Sequence, residues 1–300
     1  MKIGLALGSG SSRGWAHIGI IKALGDLGIV PDIVCGTSIG AVVGASYMSN
    51  NLENLEKWAC SLTKFEVAKF FEINMSLNGF IDTHRLHYFL NKYVADDNAS
   101  IEEFVKQYAA VATDLETGKE IWLTKGSVLE AVWSSVSLPG LFPAIKTNDR
   151  WLVDGGLVNP VPVSTCRALG ADIVIAVDLN GDIVGKHFKK SIPPKKRPGV
   201  ISKINNLVRE YTPSIFEIDE SNESPPSLFD AIASSINITQ DRITKSRMAE
   251  DPPDILLSPK LSRIKPLEFY RAWEAIEEGR KCVQNNMEDL NAILEVIDRE

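Results

Sequence analysis

A serine set between two glycines, Gly36-Thr37-Ser38-Ile39-Gly40, constrains this chain more than any other stretch, because of what stands on either side of it. Ahead of it, Pro31-Asp32 introduces the short apolar run Ile33-Val34-Cys35, which reads as a buried strand. Behind it, Ala41 to Met48 is apolar almost throughout and reads as a buried helix. A G-x-S-x-G at a strand-to-helix turn is a nucleophile elbow: the sharp turn projects the serine hydroxyl beyond the strand's C-terminal end, and small neighbours let the chain bend without clashing. The pentapeptide also arises by chance, so its weight comes from this context.

The rest of the chain extends the same alternation. Ile3–Leu7 reads as a strand and 15–27 as a helix, with Ile18, Ile21 and Leu24 at helical spacing. Asp32 to Cys35 is the second strand. Segments 52–71 and 82–93 read as helices, and 109–113 with 120–124 as a β-hairpin around Glu116-Thr117-Gly118-Lys119. A helix over 127–135 is halted by Leu138-Pro139-Gly140, and a strand over 151–153 ends in Asp154-Gly155-Gly156. The apolar run 172–178 suits a strand covered on both faces. A helix over 228–249, a strand over 254–257 and a C-terminal helix over 267–296 follow. This pattern predicts an α/β fold: a three-layer sandwich with a mainly parallel central sheet, one β-hairpin and a C-terminal helix, forming one domain over 1–300. In such sheets, sites form beyond the carboxyl ends of the strands. The loops 8–14, 36–40 and 154–156 all lie there.

Residues 181–226 differ in character. Lys186, Lys189, Lys190, Lys195, Lys196 and Arg197 stand among prolines, and an acidic Ser/Pro-rich tract follows, so the segment reads as a mobile insertion. The basic run could rest on anionic lipid headgroups. A net charge of −7 argues against nucleic acid as a partner. The four cysteines lie far apart with no C-x-x-C pair, which suits a reducing compartment and gives no zinc site. His84 and His87 are spaced i, i+3 but lack a third ligand, so no metal or other cofactor is expected. The apolar start is stopped at Ser9-Gly10-Ser11-Ser12, too short for a signal peptide, and no apolar run reaches the ~18 residues of a membrane span. The expectation is a cytoplasmic protein, at most peripheral at the inner membrane face, of unspecified oligomeric state.

A serine hydroxyl needs a neighbouring base. Histidines are few: His17, His84, His87 and His187, of which only His187 follows an acid near 154, and it sits in the Lys/Pro-rich tract. Asp154 is the better base. It closes a strand, and Gly155 and Gly156 clear space for close approach to Ser38. An ordinary aspartate, with a pKa near 4, is a weak base, and burial in a cleft would strengthen it. The bland alternative makes Asp154-Gly155-Gly156 a turn only. An oxyanion needs donors, and the loop Gly8-Ser9-Gly10-Ser11-Ser12-Arg13-Gly14 leads from a strand into a helix, so its backbone N–H groups lie at a positive terminus. Such a loop can also cradle phosphate, but the spacing is not G-x-G-x-x-G and no P-loop lysine is present. His17, beside this loop, suits a packing or hydrogen-bonding role.

These three elements, in this order, resemble the patatin-like phospholipase family. Arg13-Gly14-Trp15-Ala16-His17-Ile18-Gly19, Ala112-Thr113-Asp114-Leu115-Glu116-Thr117-Gly118, Ser137-Leu138-Pro139-Gly140-Leu141-Phe142-Pro143 and Val153 to Pro162 extend the likeness, and with Arg247 to Leu256 it is most similar to the bacterial RssA-type subgroup. The resemblance implies a Ser-Asp dyad, Ser38 as nucleophile and Asp154 as base, cleaving phospholipid or lysophospholipid acyl esters through an acyl-enzyme and without a metal. It places the oxyanion loop on Ser9, Gly10, Ser11, Arg13 and Gly14, with the N–H groups of Gly10 and Ser11 as donors. Serines replace two of the family's three glycines there, and a non-glycine held at φ > 0 costs about 1–2 kcal/mol. A weakly active regulatory module on the same fold, and a thioesterase or small-ester esterase, are the alternatives.

Overall fold

The computed structural model describes residues 1–70, 83–182 and 228–297. The expected insertion from 183 onward, the basic run 186–197 and His187 lie outside the described residues.

Eight strands are described: β1 (Ile3–Leu7), β2 (Ile33–Thr37), β3 (Gln107–Asp114), β4 (Glu120–Leu123), β5 (Ile145–Thr147), β6 (Arg150–Asp154), β7 (Ile173–Val177) and β8 (Ile255–Leu257). Hydrogen bonding links them into one sheet through the pairings β5-β6-β3-β2-β1-β7-β8, with β4 also paired to β3. β3, β2, β1, β7 and β8 are mutually parallel, while β4, β5 and β6 pair antiparallel. The helices are α1 (Ala16–Asp26), α2 (Ile39–Met48), α3 (Leu52–Ser61), α4 (Lys64–Phe70), α5 (Thr83–Tyr93), α6 (Val128–Val136), α7 (Val163–Ala168), α8 (Leu228–Glu250), α9 (Ala272–Asn285) and α10 (Met287–Ile297).

Alternation along the strands sorts the core into two faces. Leu5, Leu7, Val34, Tyr108, Ala110, Ile175 and Val177 pack with α1, α2, α6 and α9. Ala6, Ile33, Cys35, Ala109, Val174 and Ala176 pack against Cys166 of α7, with Met248 of α8 beside them. The result is the expected three-layer α/β sandwich.

Several boundaries differ from the sequence reading, each for a local reason. The helix expected over 52–71 is two: Thr63 and Glu66 exchange side-chain-to-backbone bonds of 3.2 and 2.7 Å, a capping box that starts α4 afresh. The C-terminal helix begins later and breaks at Asn286, whose Nδ2 donates to the Cys282 carbonyl at 2.7 Å and ends α9. β5 was not anticipated. It pairs with β6 through Asn148 and Asp149, both at positive φ (49° and 60°), a left-handed turn that Asn and Asp tolerate.

Candidate active site

One strand edge brings the two halves of the chain together. β2 lies parallel to the first part of β3, with Thr37 opposite Val111. β6 lies antiparallel to the last part, with Asp154 opposite Ala112. β4 pairs with Ala110–Thr113 and overlaps both, so it holds the other edge. β2 and β6 therefore meet end to end on a single edge of β3, and their terminal residues face neighbouring positions. Ser38 is the next residue after Thr37. Gly155 completes the junction: a Cβ there would lie 2.1 Å from the Val111 carbonyl oxygen, a contact that no side chain survives.

Ser38 sits at φ 56°, ψ −123°, between β2 and α2. A serine in that region is strained by about 1–3 kcal/mol and persists only where its surroundings over-determine it. Here its N–H donates to Ser135 Oγ at 2.8 Å, and Ser135 in turn donates to the Val111 carbonyl at 2.6 Å. Its carbonyl accepts from Ala41 and Val42 at the start of α2. Gly40 lets α2 approach: a Cβ there would be 2.1 Å from the Leu7 carbonyl oxygen.

Ser38 Oγ donates to Asp154 Oδ2 at 2.6 Å. The other oxygen, Oδ1, accepts the Gly156 N–H at 2.7 Å, and Thr113 Oγ1 donates to the Asp154 carbonyl at 2.8 Å. The Asp154 side chain is buried, with 2% of the residue exposed. Burial pushes its carboxyl up to about 6, against the opposing pull of the Ser38 and Gly156 hydrogen bonds. Both partners of the carboxylate are neutral.

The loop after β1 lines a cavity together with Ser38 and Asp154. The Ser9 N–H is spent on the Pro160 carbonyl (2.8 Å), Ser12's on Pro266 (3.3 Å) and Arg13's on Gly10 (3.3 Å), and Gly14 lies inside the short 3-10 turn Ser11–Trp15. The N–H groups of Gly10 and Ser11 find no acceptor among the described residues. Ser11 is held at φ 55°, the left-handed conformation a glycine would take without strain. Its hydroxyl donates to the Pro266 carbonyl and Ser12's to that of Lys265, which moors the loop to the segment before α9. His17 is buried and donates from Nε2 to the Gly8 carbonyl at 2.8 Å, and burial lowers its pKa to about 4, so it serves the loop as a neutral donor. His87 instead pairs with Asp97 at 3.1 Å on the outer side of α5.

Ser38 and Asp154 open onto a cavity of about 520 Å³, walled by apolar side chains that include Val42, Trp58, Leu86, Phe89, Leu141 and Phe142. That volume falls within the ~300–1,000 Å³ typical of ligand sites. Ser135, Asn180, Asn237 and Gln240, which support the site, belong to no motif and carry no sequence signal of their role. Among the described residues, no helix is long and apolar enough to cross a membrane.

A family model described as patatin-like phospholipase matches residues 5–167. An uncharacterised NTE-family protein of Mycobacterium tuberculosis is 28% identical, over 96% of this chain and 91% of its own length. Lysophospholipase NTE1 of Pyricularia oryzae is 29% identical over 93% of this chain, which corresponds to 18% of that protein. Among solved structures, VipD from Legionella pneumophila aligns over 99% of this chain and 79% of its own, with 14% identity and a TM-score of 0.35, a likeness too distant to inform the site. The family match spans more than half of the sequence and takes in the Ser38 elbow, Asp154 and the loop after β1: the chain belongs to the patatin-like phospholipase family.

Proposed function

We propose that this lipid acyl hydrolase cleaves the acyl ester of a lysophospholipid or phospholipid, with Ser38 as nucleophile and Asp154 as its base. The observation that carries the reading is the 2.6 Å Ser38–Asp154 hydrogen bond in the lining of a largely apolar cavity. As Ser38 Oγ attacks the ester carbonyl carbon, its proton passes to Asp154 Oδ2 along a bond already made. The carbonyl oxygen becomes the oxyanion and takes the N–H groups of Gly10 and Ser11 as donors. Collapse of this intermediate expels the glycerol-side oxygen, which recovers the proton from Asp154 and leaves an acyl ester on Ser38. Water then gives its proton to the same carboxylate, attacks the acyl carbon and frees the fatty acid, and the proton returns to Ser38 Oγ.

The cavity supports one acyl chain as the group bound, and lysophospholipase relatives point the same way. We place the protein in a reducing compartment, as its four unpaired thiols suit, and assign peripheral lipid contact to the basic run 186–197. Liposome co-sedimentation that survives neutralising those lysines would remove that contact. The dyad is tested with a fluorophosphonate probe and with fatty-acid release from lysophosphatidylcholine. Labelling at Ser38 in wild type, strongly reduced in Asp154→Asn, is expected. An unlabelled Ser38 in a protein that releases no fatty acid would end the hydrolase reading.

A further inference from the structure

Among the described side chains of helix α8, the buried ones form a polar stripe. Asn237, Gln240, Asp241 and Thr244, at i, i+3, i+4 and i+7, are each no more than 8% exposed. Helices of soluble proteins ordinarily bury the opposite kind of face. Two members of the stripe reach the loop after β1 by separate routes. Asn237 Oδ1 accepts from Arg13 Nη2 at 3.0 Å, and Arg13 Nε donates to the Gly10 carbonyl at 3.0 Å. Gln240 Oε1 accepts from Ser9 Oγ at 3.1 Å and from Asn180 Nδ2 at 3.3 Å, and the same Asn180 amide donates to the Ser9 carbonyl at 3.3 Å. Gln240 Nε2 also sits over Gly156, 2.4 Å from where a Cβ would stand, so one side chain spans the loop and the turn that carries Asp154.

The consequence follows from peptide geometry. In a planar trans peptide, the C=O of one residue and the N–H of the next point in opposite directions. Holding the Ser9 carbonyl on the α8 side turns the Gly10 N–H away from α8, and holding the Gly10 carbonyl there does the same for the Ser11 N–H. These are the two N–H groups without an acceptor among the described residues, on a loop that lines the cavity with Ser38. We propose that Asn237 and Gln240 of α8 are positioning residues, each aiming one oxyanion donor through the carbonyl one peptide earlier. Asn237 acts on Ser11 through Arg13, and Gln240 on Gly10 through Asn180 and Ser9. The proposal rests on the hydrolase reading above and adds the part of the chain that sets its rate. Arg13 is well suited to this role. Buried beside the Asp178 carboxylate, it remains a charged donor even though burial lowers its pKa to about 10.

The test uses the full chain, a short soluble p-nitrophenyl ester and the fluorophosphonate labelling rate. Asn237→Leu and Gln240→Met each remove an acceptor, and Asn237→Asp keeps one for Arg13. Mis-aiming one donor is expected to lower kcat and the labelling rate together by about 10- to 100-fold, below the ~10²–10³ for losing a donor outright, with KM within about twofold. Asn237→Asp should recover to within about threefold of wild type, and the Leu/Met double variant should show the product of the two losses. Equal losses in Asn237→Leu and Asn237→Asp, or a Gln240→Met enzyme with wild-type kcat, would overturn the assignment, and the second comparison holds if Asn237→Leu does not fold. A wild-type chain without turnover would instead overturn the hydrolase reading.

Discussion

Replacing Asp154 by asparagine should abolish turnover and at the same time make the protein more stable. The carboxyl is carried from its ordinary 3.8 to about 6 by burial. At about 1.4 kcal/mol for each tenfold change in proton affinity, that corresponds to roughly 3 kcal/mol by which the ionised aspartate opposes folding at neutral pH. The sign follows from proton counting. Between pH 3.8 and about 6 the folded state holds a proton that the unfolded state has lost, so lowering the pH through this window relieves the penalty. Below it both states are protonated and the penalty is gone; above about 6 it is complete. An asparagine is never ionised, and its side-chain oxygen can still accept the Gly156 N–H while its amide faces Ser38 Oγ. Asp154→Asn should therefore melt higher than wild type above pH 7, by about 4–8 °C for a chain of this size. The gain should shrink through pH 5 and vanish near pH 4. Paired thermal melts of the two proteins from pH 4 to 8, followed by circular dichroism, measure it. A variant no more stable at pH 8, or one whose advantage is independent of pH, would refute a buried, proton-hungry Asp154.

The same carboxyl should set the acid limb of catalysis: kcat/KM on a soluble ester is expected to fall tenfold per pH unit below about 6, and a profile flat to pH 4.5 would exclude Asp154 as the base. Val42 lines the cavity one turn beyond Ser38. Val42→Phe should displace two to three methylenes of a bound chain at about 0.8 kcal/mol each, lowering kcat/KM for long-chain esters roughly 15- to 60-fold while sparing acetyl esters; equal losses on both would place the chain elsewhere. Gly40→Ala, with its Cβ 2.1 Å from the Leu7 carbonyl oxygen, should cost more than about 3 kcal/mol in urea unfolding, and an unchanged midpoint would show that α2 can slide outward.

What could be read from the sequence was local. Gly36 to Gly40 needs only its own neighbours to declare a strand, a sharp turn and a helix, and Asp154-Gly155-Gly156 announces a strand end in the same way. The order of apolar runs was enough for the layers, because period-2 alternation and helical spacing do not depend on distant contacts. The supports of the site were not legible. Ser135 looks like any helix serine until Val111 and Ser38 stand on either side of it. Asn237, Gln240, Asp241 and Thr244 are simply polar letters within an amphipathic helix over 228–249, since nothing in their spacing tells that the surface they meet is also polar. Thr63-Lys64-Phe65-Glu66 was a missed signal of another kind: its capping box was present in the letters and would have divided the helix over 52–71.

The end-to-end meeting of β2 and β6 on one edge of β3 also governs when the enzyme becomes dangerous to lipids. A ribosome releases Ser38 early, but its partner arrives more than a hundred residues later and can take its place only after β3 has paired with β2. The α8 side chains come later still, so at about 5–20 residues per second the interval between Ser38 and Gln240 is roughly 10–40 s. Under the proposed dyad, Ser38 is without its base until Asp154 is in place. Hydrolysis of a reporter ester by a nascent or refolding chain would thus appear as a final event, after the parallel sheet has closed.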